Sequence, residues 1–144
     1  MNLIGLYIAV IEAKETYLKP GITEDIGERM VGYSKGGNIP TIHFLCISRP
    51  GFGRVVESLE DDGKVFFKKH FTKFNGYNRT EYINPLTTGI TRKDLEKYYR
   101  KKIAKMPGVF IVKKEFLPLT LDSPGLKNFM ENAIKYPQKY LEDF

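Results

Sequence analysis

The stretch GLYIAVIEAKETYLKPGIT, residues 5–23, contains two β-strand patterns separated by a short polar segment. Residues 3–11 are almost all apolar and include several β-branched side chains, which is typical of a buried strand. The segment EAKET has the composition of a turn, and the residues from Tyr17 to Thr23 indicate a second, shorter strand. Two strands joined by so short a link predict an antiparallel hairpin.

The triplet Lys19-Pro20-Gly21 lies inside the second strand, where proline is unusual. Because proline has no N–H to donate to a neighbouring strand, we expect this strand to lie at a sheet edge or to bend at Pro20. Gly21 allows a ligand or another backbone segment to approach closely. Pairing within the hairpin could bring Lys19 beside Tyr7, although a buried tyrosine and a surface lysine are the simpler interpretation of these residues taken alone.

Beyond the hairpin, the hydrophobic periodicity alternates between helical and strand patterns. In chain order, the predicted elements are a helix over 24–33 capped by Thr23, a strand over 41–47, a helix over 55–74, a helix over 91–106 capped by Thr91, a strand over 108–117 and a helix opening at Ser123-Pro124. Together they predict an α+β protein with a small, mainly antiparallel three-stranded sheet flanked by helices. We expect a single domain, in which residues 86–144 add a helix–strand–helix extension to a core over residues 1–85.

The composition limits the class of protein. A chain of 144 residues, 42% hydrophobic and 13% aromatic, is typical of a folded domain with a sizeable core. No apolar run reaches the roughly 18 residues of a membrane span, and the first ten residues have a strand pattern rather than that of a signal peptide. The single cysteine, Cys46, excludes an internal disulfide, and no Cys/His cluster indicates zinc. We therefore expect an intracellular protein with no membrane partner.

The charge favours an anionic partner, with nucleic acid first, because the net charge is +6 and the pI is about 9.3. Most of the excess positive charge lies in segment 91–106, which contains seven Lys or Arg residues and two acidic residues. The periodicity of this segment predicts an apolar stripe that leaves most basic residues outward. A solvated surface is the simple alternative to contact with DNA phosphates. The residues expected to contact DNA are Arg92, Lys97, Arg100, Lys101 and Lys105.

Several short motifs occur in a particular order along the first half of the chain. Gly-x-Tyr at 5–7 is followed, after eleven residues, by Lys-x-Gly-x-Thr at 19–23, and Arg29 comes eight residues after Gly21. Further along, the residues that complete the pattern are His70, Phe74, Arg79, Glu81 and Tyr82. This order resembles the GIY-YIG endonuclease superfamily, most closely the phage T5-type branch whose second motif is Lys-x-Gly. The resemblance covers residues 3–85, with Pro20 in place of the usual apolar residue.

The resemblance implies a DNA endonuclease that depends on Mg²⁺ (or Mn²⁺). It assigns catalytic roles to the residues at the matching positions, which are Tyr7, Lys19, Arg29 and Glu60. Glu60, in the segment VESLE, is also the expected metal ligand, because it fits the family pattern and lies near the apolar face of the predicted helix. Glu57 lies further round that helix and is the alternative.

These residue types suit phosphodiester hydrolysis, which needs an aligned water, a proton acceptor and positive charge around the phosphate. One carboxylate can hold one hydrated Mg²⁺, and an arginine can form a fork to phosphate oxygens. Tyr7 is the expected proton acceptor or water-orienting group, but the ordinary pKa of tyrosine, near 10, is too high for a base at neutral pH. A neighbouring Lys19 ammonium would lower that pKa, or Lys19 could bind phosphate directly.

Two other functions remain open. One is a nucleic-acid-binding module on the same fold that does not cleave, and the other is a basic protein-interaction accessory factor. Of the remaining candidates, His43, His70 and Cys46 are expected to have structural roles rather than to act as ligands. Glu81 is expected to pair with Arg79 or a helix end, and to act in catalysis only as the less favoured alternative.

Overall fold

The hairpin predicted from residues 5–23 is confirmed. The computed structural model describes residues 3–73 and 80–144. Strands β1 (Gly5–Glu12) and β2 (Thr16–Thr23) pair antiparallel over their whole length, with Tyr7 directly opposite Gly21. The helix that follows, α1 (Ile26–Tyr33), is capped by Asp25 rather than by Thr23, since Asp25 Oδ1 accepts a hydrogen bond from the Glu28 N–H at 3.0 Å.

The sheet is larger than predicted. The described residues form six strands, of which the four beyond the hairpin are β3 (Ile39–Ser48), β4 (Phe71–Lys73), β5 (Thr80–Ile83) and β6 (Val109–Ile111). Their order in the sheet is β4-β5-β2-β1-β3-β6, and every pairing is antiparallel. The α+β class is therefore right, and the three-stranded sheet is wrong. Strands β4 and β5 are short, so they carry too little alternation to be distinguished from a helix or a loop by sequence pattern. Strand β6 lies within the strand predicted over 108–117, which the prediction assigned to the extension rather than to this sheet.

Two errors in the predicted boundaries account for this difference. The long helix, α2 (Gly53–Phe66), ends well before Phe74, which leaves residues 71–73 free to form β4 at one end of the sheet. At the other end, β6 comes from the predicted extension and pairs with β3, so the extension is joined to the same sheet as the hairpin. The remaining helices are α3 (Pro85–Thr88), α4 (Arg92–Ile103), α5 (Phe129–Lys135) and α6 (Pro137–Tyr140).

Both faces of the sheet are covered by hydrophobic packing. Tyr7 and Ala9 of β1 face a core that includes Met30 of α1 and Phe129 of α5. The alternate residues of β1 face a second core that includes residues of α2 and α4. A strand buried on both faces explains the nearly continuous apolar run at the start of the chain. None of the helices in the described ranges is long and apolar enough to cross a bilayer.

The predicted geometry of α4 is largely confirmed. Thr91 and Asp94 form a reciprocal capping box, in which Asp94 Oδ2 accepts from the Thr91 N–H at 2.8 Å and Thr91 Oγ1 accepts from the Asp94 N–H at 3.2 Å. The helix ends at Ile103 rather than at residue 106. Its buried stripe is Leu95, Tyr99 and Ile103, as the periodicity indicates.

Candidate active site

The side chain of Tyr7 lies across Gly21. A Cβ atom at position 21 would come within 2.6 Å of Tyr7 Oη and 2.8 Å of Cζ, so only glycine leaves room for the phenol ring. The close approach expected at Gly21 therefore exists, but the approaching group is a side chain of the paired strand. In the described residues, one residue pair, Leu18 with Ile83, joins β2 to β5. Pro20 is not part of this pairing.

Tyr7 and Tyr33 share a hydrogen bond between their hydroxyl groups. Tyr33 is the last residue of α1, and the two rings meet edge to face with their centroids 6.2 Å apart. When two neutral hydroxyls pair in this way, one donates to the other, and the second proton is available to another acceptor. Sequence reasoning missed Tyr33, although its position four residues after Arg29 puts both on one side of α1.

Tyr7 is a neutral phenol at physiological pH. Burial raises its pKa to about 12, while the hydrogen bond from Tyr33 and the charge of Arg29 act in the opposite direction. Burial also raises the pKa of Tyr33. The shift at Tyr7 is opposite to the one expected from a neighbouring Lys19 ammonium, so the proposed lowering of the Tyr7 pKa by Lys19 is wrong. The cation that favours the Tyr7 phenolate is Arg29, and its effect is smaller than that of burial.

Lys19 is buried and bound to the protein. Only 7% of the residue is exposed, and its Nζ lies 3.4 Å from Glu81 Oε2 and donates to the Pro20 carbonyl oxygen at 3.1 Å. Burial lowers the pKa of Lys19, and the negative charges of Glu81 and Glu60 act against that change. The surface lysine of the simpler interpretation is thus excluded. Glu81 therefore has Lys19 as a partner. The expected pairing of Glu81 with Arg79 cannot be followed, because Arg79, like Phe74, lies outside the described residues.

Arg29 projects from α1 into a cleft of about 640 Å³ that Tyr33 and Tyr82 also line. Its side chain is exposed, and no acid of the described residues lies within ion-pair distance of it. The guanidinium is therefore available to an anion. Acidic side chains on the rim of the same cleft, including Glu24 and Glu28, would oppose a phosphate on that side.

Glu60 belongs to the same electrostatic environment. It lies on α2 with its side chain 15% exposed, and Lys64 Nζ is 3.5 Å from its Oε1. Its negative charge raises the pKa of both Tyr7 and Lys19. Glu57, the alternative carboxylate, is exposed on α2. The charges of Arg29 and Glu60 thus act on Tyr7, and that of Glu60 acts on Lys19, with each of these four residues on a different element.

A divalent cation would have one protein carboxylate here, that of Glu60. Among the described residues, no three His, Cys, Asp or Glu side chains cluster to form a cage of ligands. Mg²⁺ is commonly held by one or two carboxylates, keeps several waters and completes its shell with substrate phosphate oxygens. The residues present therefore fit a hydrated ion at Glu60, in competition with the Lys64 ammonium.

Some cations of the basic helix α4 and its following turn are paired with acids, and others are exposed. Arg92 pairs with Glu96 at 3.1 Å, and Arg100 makes a bidentate pair with Glu142, with both N–O distances 2.9 Å. Of the five residues expected to contact DNA, the remaining three are exposed: Lys97 and Lys101 lie on α4, and Lys105 lies in the turn that follows it.

Other polar residues singled out in the sequence have structural contacts. His43 Nε2 lies 2.9 Å from Thr41 Oγ1, and Asn84 caps α3 by accepting the Leu86 N–H at 2.9 Å. Cys46 is fully buried, and His70 lies in a short 3₁₀ turn after α2.

The candidate residues comprise two cations, a pair of neutral tyrosine hydroxyls and the Glu60 carboxylate. Of these, Arg29 and Tyr33 line the open cleft, whereas Tyr7, Lys19 and Glu60 do not. Such a set can bind a phosphate diester, donate hydrogen bonds to it and offer one ligand to a metal ion. The chain matches no protein-family model, no curated protein and no solved structure.

Proposed function

We propose that the protein is a metal-dependent DNA endonuclease of the GIY-YIG type, which hydrolyses phosphodiester bonds. The observation that carries this proposal is the electrostatic linkage among Tyr7, Lys19, Arg29 and Glu60, which lie on β1, β2, α1 and α2. The charges of Arg29 and Glu60 act on Tyr7, and that of Glu60 acts on Lys19 as well.

In this proposal the two cations bind the scissile phosphate. Arg29 is exposed and unpaired among the described residues, so its fork of N–H donors can engage two phosphate oxygens. Lys19 adds positive charge from inside the sheet, held in place by Glu81. Positive charge fixed before the reaction favours the more negative transition state without any reorganisation of solvent.

Tyr7 orients the attacking water or the phosphate through a hydrogen bond. A phenol with a pKa of about 12 is protonated at neutral pH, so it acts as a hydroxyl rather than as a phenolate base. Its partner Tyr33 lines the cleft and fixes the direction of the hydroxyl pair. The proton of the attacking water then passes to another acceptor, such as solvent or a phosphate oxygen.

Glu60 is the side chain that would hold Mg²⁺ or Mn²⁺. When bound, such an ion neutralises charge on the phosphate and lowers the pKa of a coordinated water. The protein itself supplies the Glu60 carboxylate. It fixes the position of this group because Val56 and Leu59, in the preceding turn of α2, are buried. DNA as the substrate is supported by the net charge of +6 and by the exposed lysines of α4. An intracellular location follows from that substrate.

One observation favours the non-cleaving alternative. Lys19 is already paired with Glu81, and the Tyr7 pKa is raised, so neither residue is activated in the protein alone. A module that only binds nucleic acid would need no activated group at this position.

The deciding experiment incubates the pure protein with supercoiled plasmid and Mg²⁺, Mn²⁺ or EDTA. We expect nicked or linear product with either metal and none with EDTA. Glu60→Gln should abolish cleavage, whereas Glu57→Gln, the same change three residues earlier on the exposed side of α2, should not. Salt-dependent DNA binding without cleavage in any metal would support the binding module. No DNA binding at all would support the protein-interaction factor.

A further inference from the structure

A second concave surface lies between the end of α2 and the outer side of α4. It is a groove of about 770 Å³. Its aromatic lining comes from Phe66 and Phe67 at the end of α2 and from Tyr98 on α4. Neither the motif order nor the candidate active site uses these three residues.

Phe66 and Tyr98 form an open aromatic platform. The two rings are stacked, with centroids 4.6 Å apart and planes inclined by 26°. Phe66 is 65% exposed, which is unusual for a phenylalanine, whereas Phe67 beside it is buried and meets both rings edge to face. The buried ring supports this stack. Tyr98 covers one face of Phe66, so the flat apolar surface presented to solvent belongs to the exposed Phe66 ring.

Lysines surround this platform. Lys97 and Lys101 on α4 and Lys105 in the turn after it follow one another at intervals of four residues. Lys102 Nζ lies 5.7 Å from the centroid of the Tyr98 ring. All four are exposed and line the groove. Two acids also line it, but Asp94 is occupied by the capping box of α4. The groove is therefore apolar at its base and positively charged at its rim.

We infer that this groove binds unpaired nucleotides of the DNA substrate. A base would stack on Phe66 and Tyr98, and the neighbouring phosphates would lie against Lys97, Lys101 and Lys105. Aromatic platforms beside a basic track bind single strands with little sequence preference, since every base has a flat face. A protein partner would suit the apolar base of the groove, but the excess of lysines favours a polyanion.

The groove and the candidate active site share helix α2. Glu60 and Phe66 are six residues apart, which is roughly 9 Å along the helix axis. The inference rests on the proposed function only in taking DNA as the substrate, and it predicts a preference for DNA with single-stranded or frayed segments.

The test measures binding in EDTA, so that cleavage plays no part. Fluorescence anisotropy compares a short labelled oligothymidine with an abasic oligomer of the same length, which carries the same phosphates without bases. We expect the wild-type protein to bind the oligothymidine roughly tenfold more tightly. Phe66→Ala should remove this preference while leaving binding of the abasic oligomer unchanged. Tyr98→Phe, which keeps the ring, should retain it.

The chain offers a matched control. Tyr136 is 52% exposed, and Lys135 Nζ lies 5.5 Å from its ring centroid, so it has the same pairing of ring and cation outside the groove. Tyr136→Ala should change neither affinity. Circular dichroism melting of each variant checks that the fold is intact, and Phe66→Leu provides a second variant that keeps the apolar contact without a ring.

Three results would overturn the inference. The first is equal binding of the two oligomers by the wild-type protein, and the second is a wild-type preference in both Phe66→Ala and Phe66→Leu. The third is self-association of the protein without DNA that Phe66→Ala abolishes, which would assign the groove to a second copy of the chain. Absence of plasmid cleavage would count against the proposed function but would leave these binding results intact.

Discussion

Lys19 on β2 and Glu81 on β5 form an ion pair across two strands of the sheet, with 3.4 Å between Nζ and Oε2. The lysine is almost fully buried, whereas the carboxylate side chain is 30% exposed. A buried ammonium is costly without a partner, so Glu81 stabilises the protonated form of Lys19. The pair therefore links the stability of the sheet to the charge state of the candidate active site.

The first prediction concerns that link. Glu81→Gln should lower the free energy of unfolding by about 1 to 3 kcal/mol, because it leaves the Lys19 ammonium without its carboxylate. The double variant Lys19→Met with Glu81→Gln should lose less than the sum of the two single changes. Urea unfolding of all four proteins at neutral pH measures this coupling. Strictly additive losses would show that the pair contributes nothing to stability.

The second prediction follows from the Tyr7 pKa, raised from 10.0 to about 12 by burial. The unfolded chain releases this proton first as the pH rises, so the contribution of Tyr7 to stability is full below about pH 10 and is lost towards about pH 12. A shift of this size corresponds to roughly 2 to 3 kcal/mol. Urea unfolding across this range should show a smaller loss for Tyr7→Phe than for the wild-type protein. Tyr136→Phe, at an exposed tyrosine, should keep the wild-type slope, and an equal slope in Tyr7→Phe would contradict the assignment.

The third prediction separates charge from geometry at Arg29. Arg29→Lys keeps the positive charge but loses the planar fork, so cleavage should fall by about ten- to a hundredfold. The free energy of unfolding should hardly change, because the side chain is exposed and has no ion-pair partner in the described part of the chain. Arg54→Lys, at another exposed arginine, is the control for cleavage and should remain active. An active Arg29→Lys variant would remove the fork from the proposed mechanism.

The fourth prediction concerns the free lysines of α4 and of the turn after it. Changing Lys97, Lys101 and Lys105 to Gln should weaken duplex binding for all sequences and flatten the log–log salt dependence by roughly 0.9 for each lost phosphate contact. Arg100 is left unchanged because it is bound to Glu142. A control triple with the same loss of charge, Lys14, Lys135 and Lys139 to Gln, should leave the salt slope unaltered. Equal slopes in the two triples would show that net charge, and not this helix, determines binding.

The fifth prediction concerns Gly63 in the middle of α2. Helix propensity favours alanine at such a position by roughly 1 kcal/mol. The Tyr99 ring of α4 lies against Gly63, however, and a Cβ there would come within 2.9 Å of Tyr99 Cζ and still closer to its hydroxyl. Gly63→Ala should therefore lower the free energy of unfolding by about 1 to 3 kcal/mol. Thermal melting measures this change, and Tyr99→Phe should relieve part of it. A stabilised Gly63→Ala variant would mean that the two helices adjust at no cost.

Sequence patterns predicted those features that depend on residues close together in the sequence. The hairpin over residues 5–23, the capping box at Thr91 and the buried stripe of α4 all follow from local spacing. Gly63 shows the limit, because periodicity identifies it only as a weak point in a helix, whereas the packing of Tyr99 makes glycine necessary. The three residues of β4 are too few to carry a strand signal of their own. The pairing of β6 with β3 joins segments far apart in the chain, which local patterns do not indicate.

The candidate site, too, could be predicted from the sequence only in part. The order of Tyr7, Lys19, Arg29 and Glu60 could be found in the sequence, and in the fold the charges of Arg29 and Glu60 act on Tyr7. The contacts of Tyr33 with Tyr7 and of Glu81 with Lys19 could not be found in the sequence, because they depend on tertiary packing. Arg100 looked the same as its neighbouring lysines in sequence, and only its contact with Glu142, 42 residues away, distinguishes it.

The close fit between Tyr7 and Gly21 has a consequence for the evolution of the chain. A larger residue at position 21 would displace the phenol, so no single change there is neutral while Tyr7 is present. Loss of the ring at position 7 would remove that constraint and open position 21 to ordinary strand residues. Positions 7 and 21 should therefore change together among descendants of this sequence. A descendant that has replaced the glycine alone should also have lost the hydroxyl from its present place beside Tyr33.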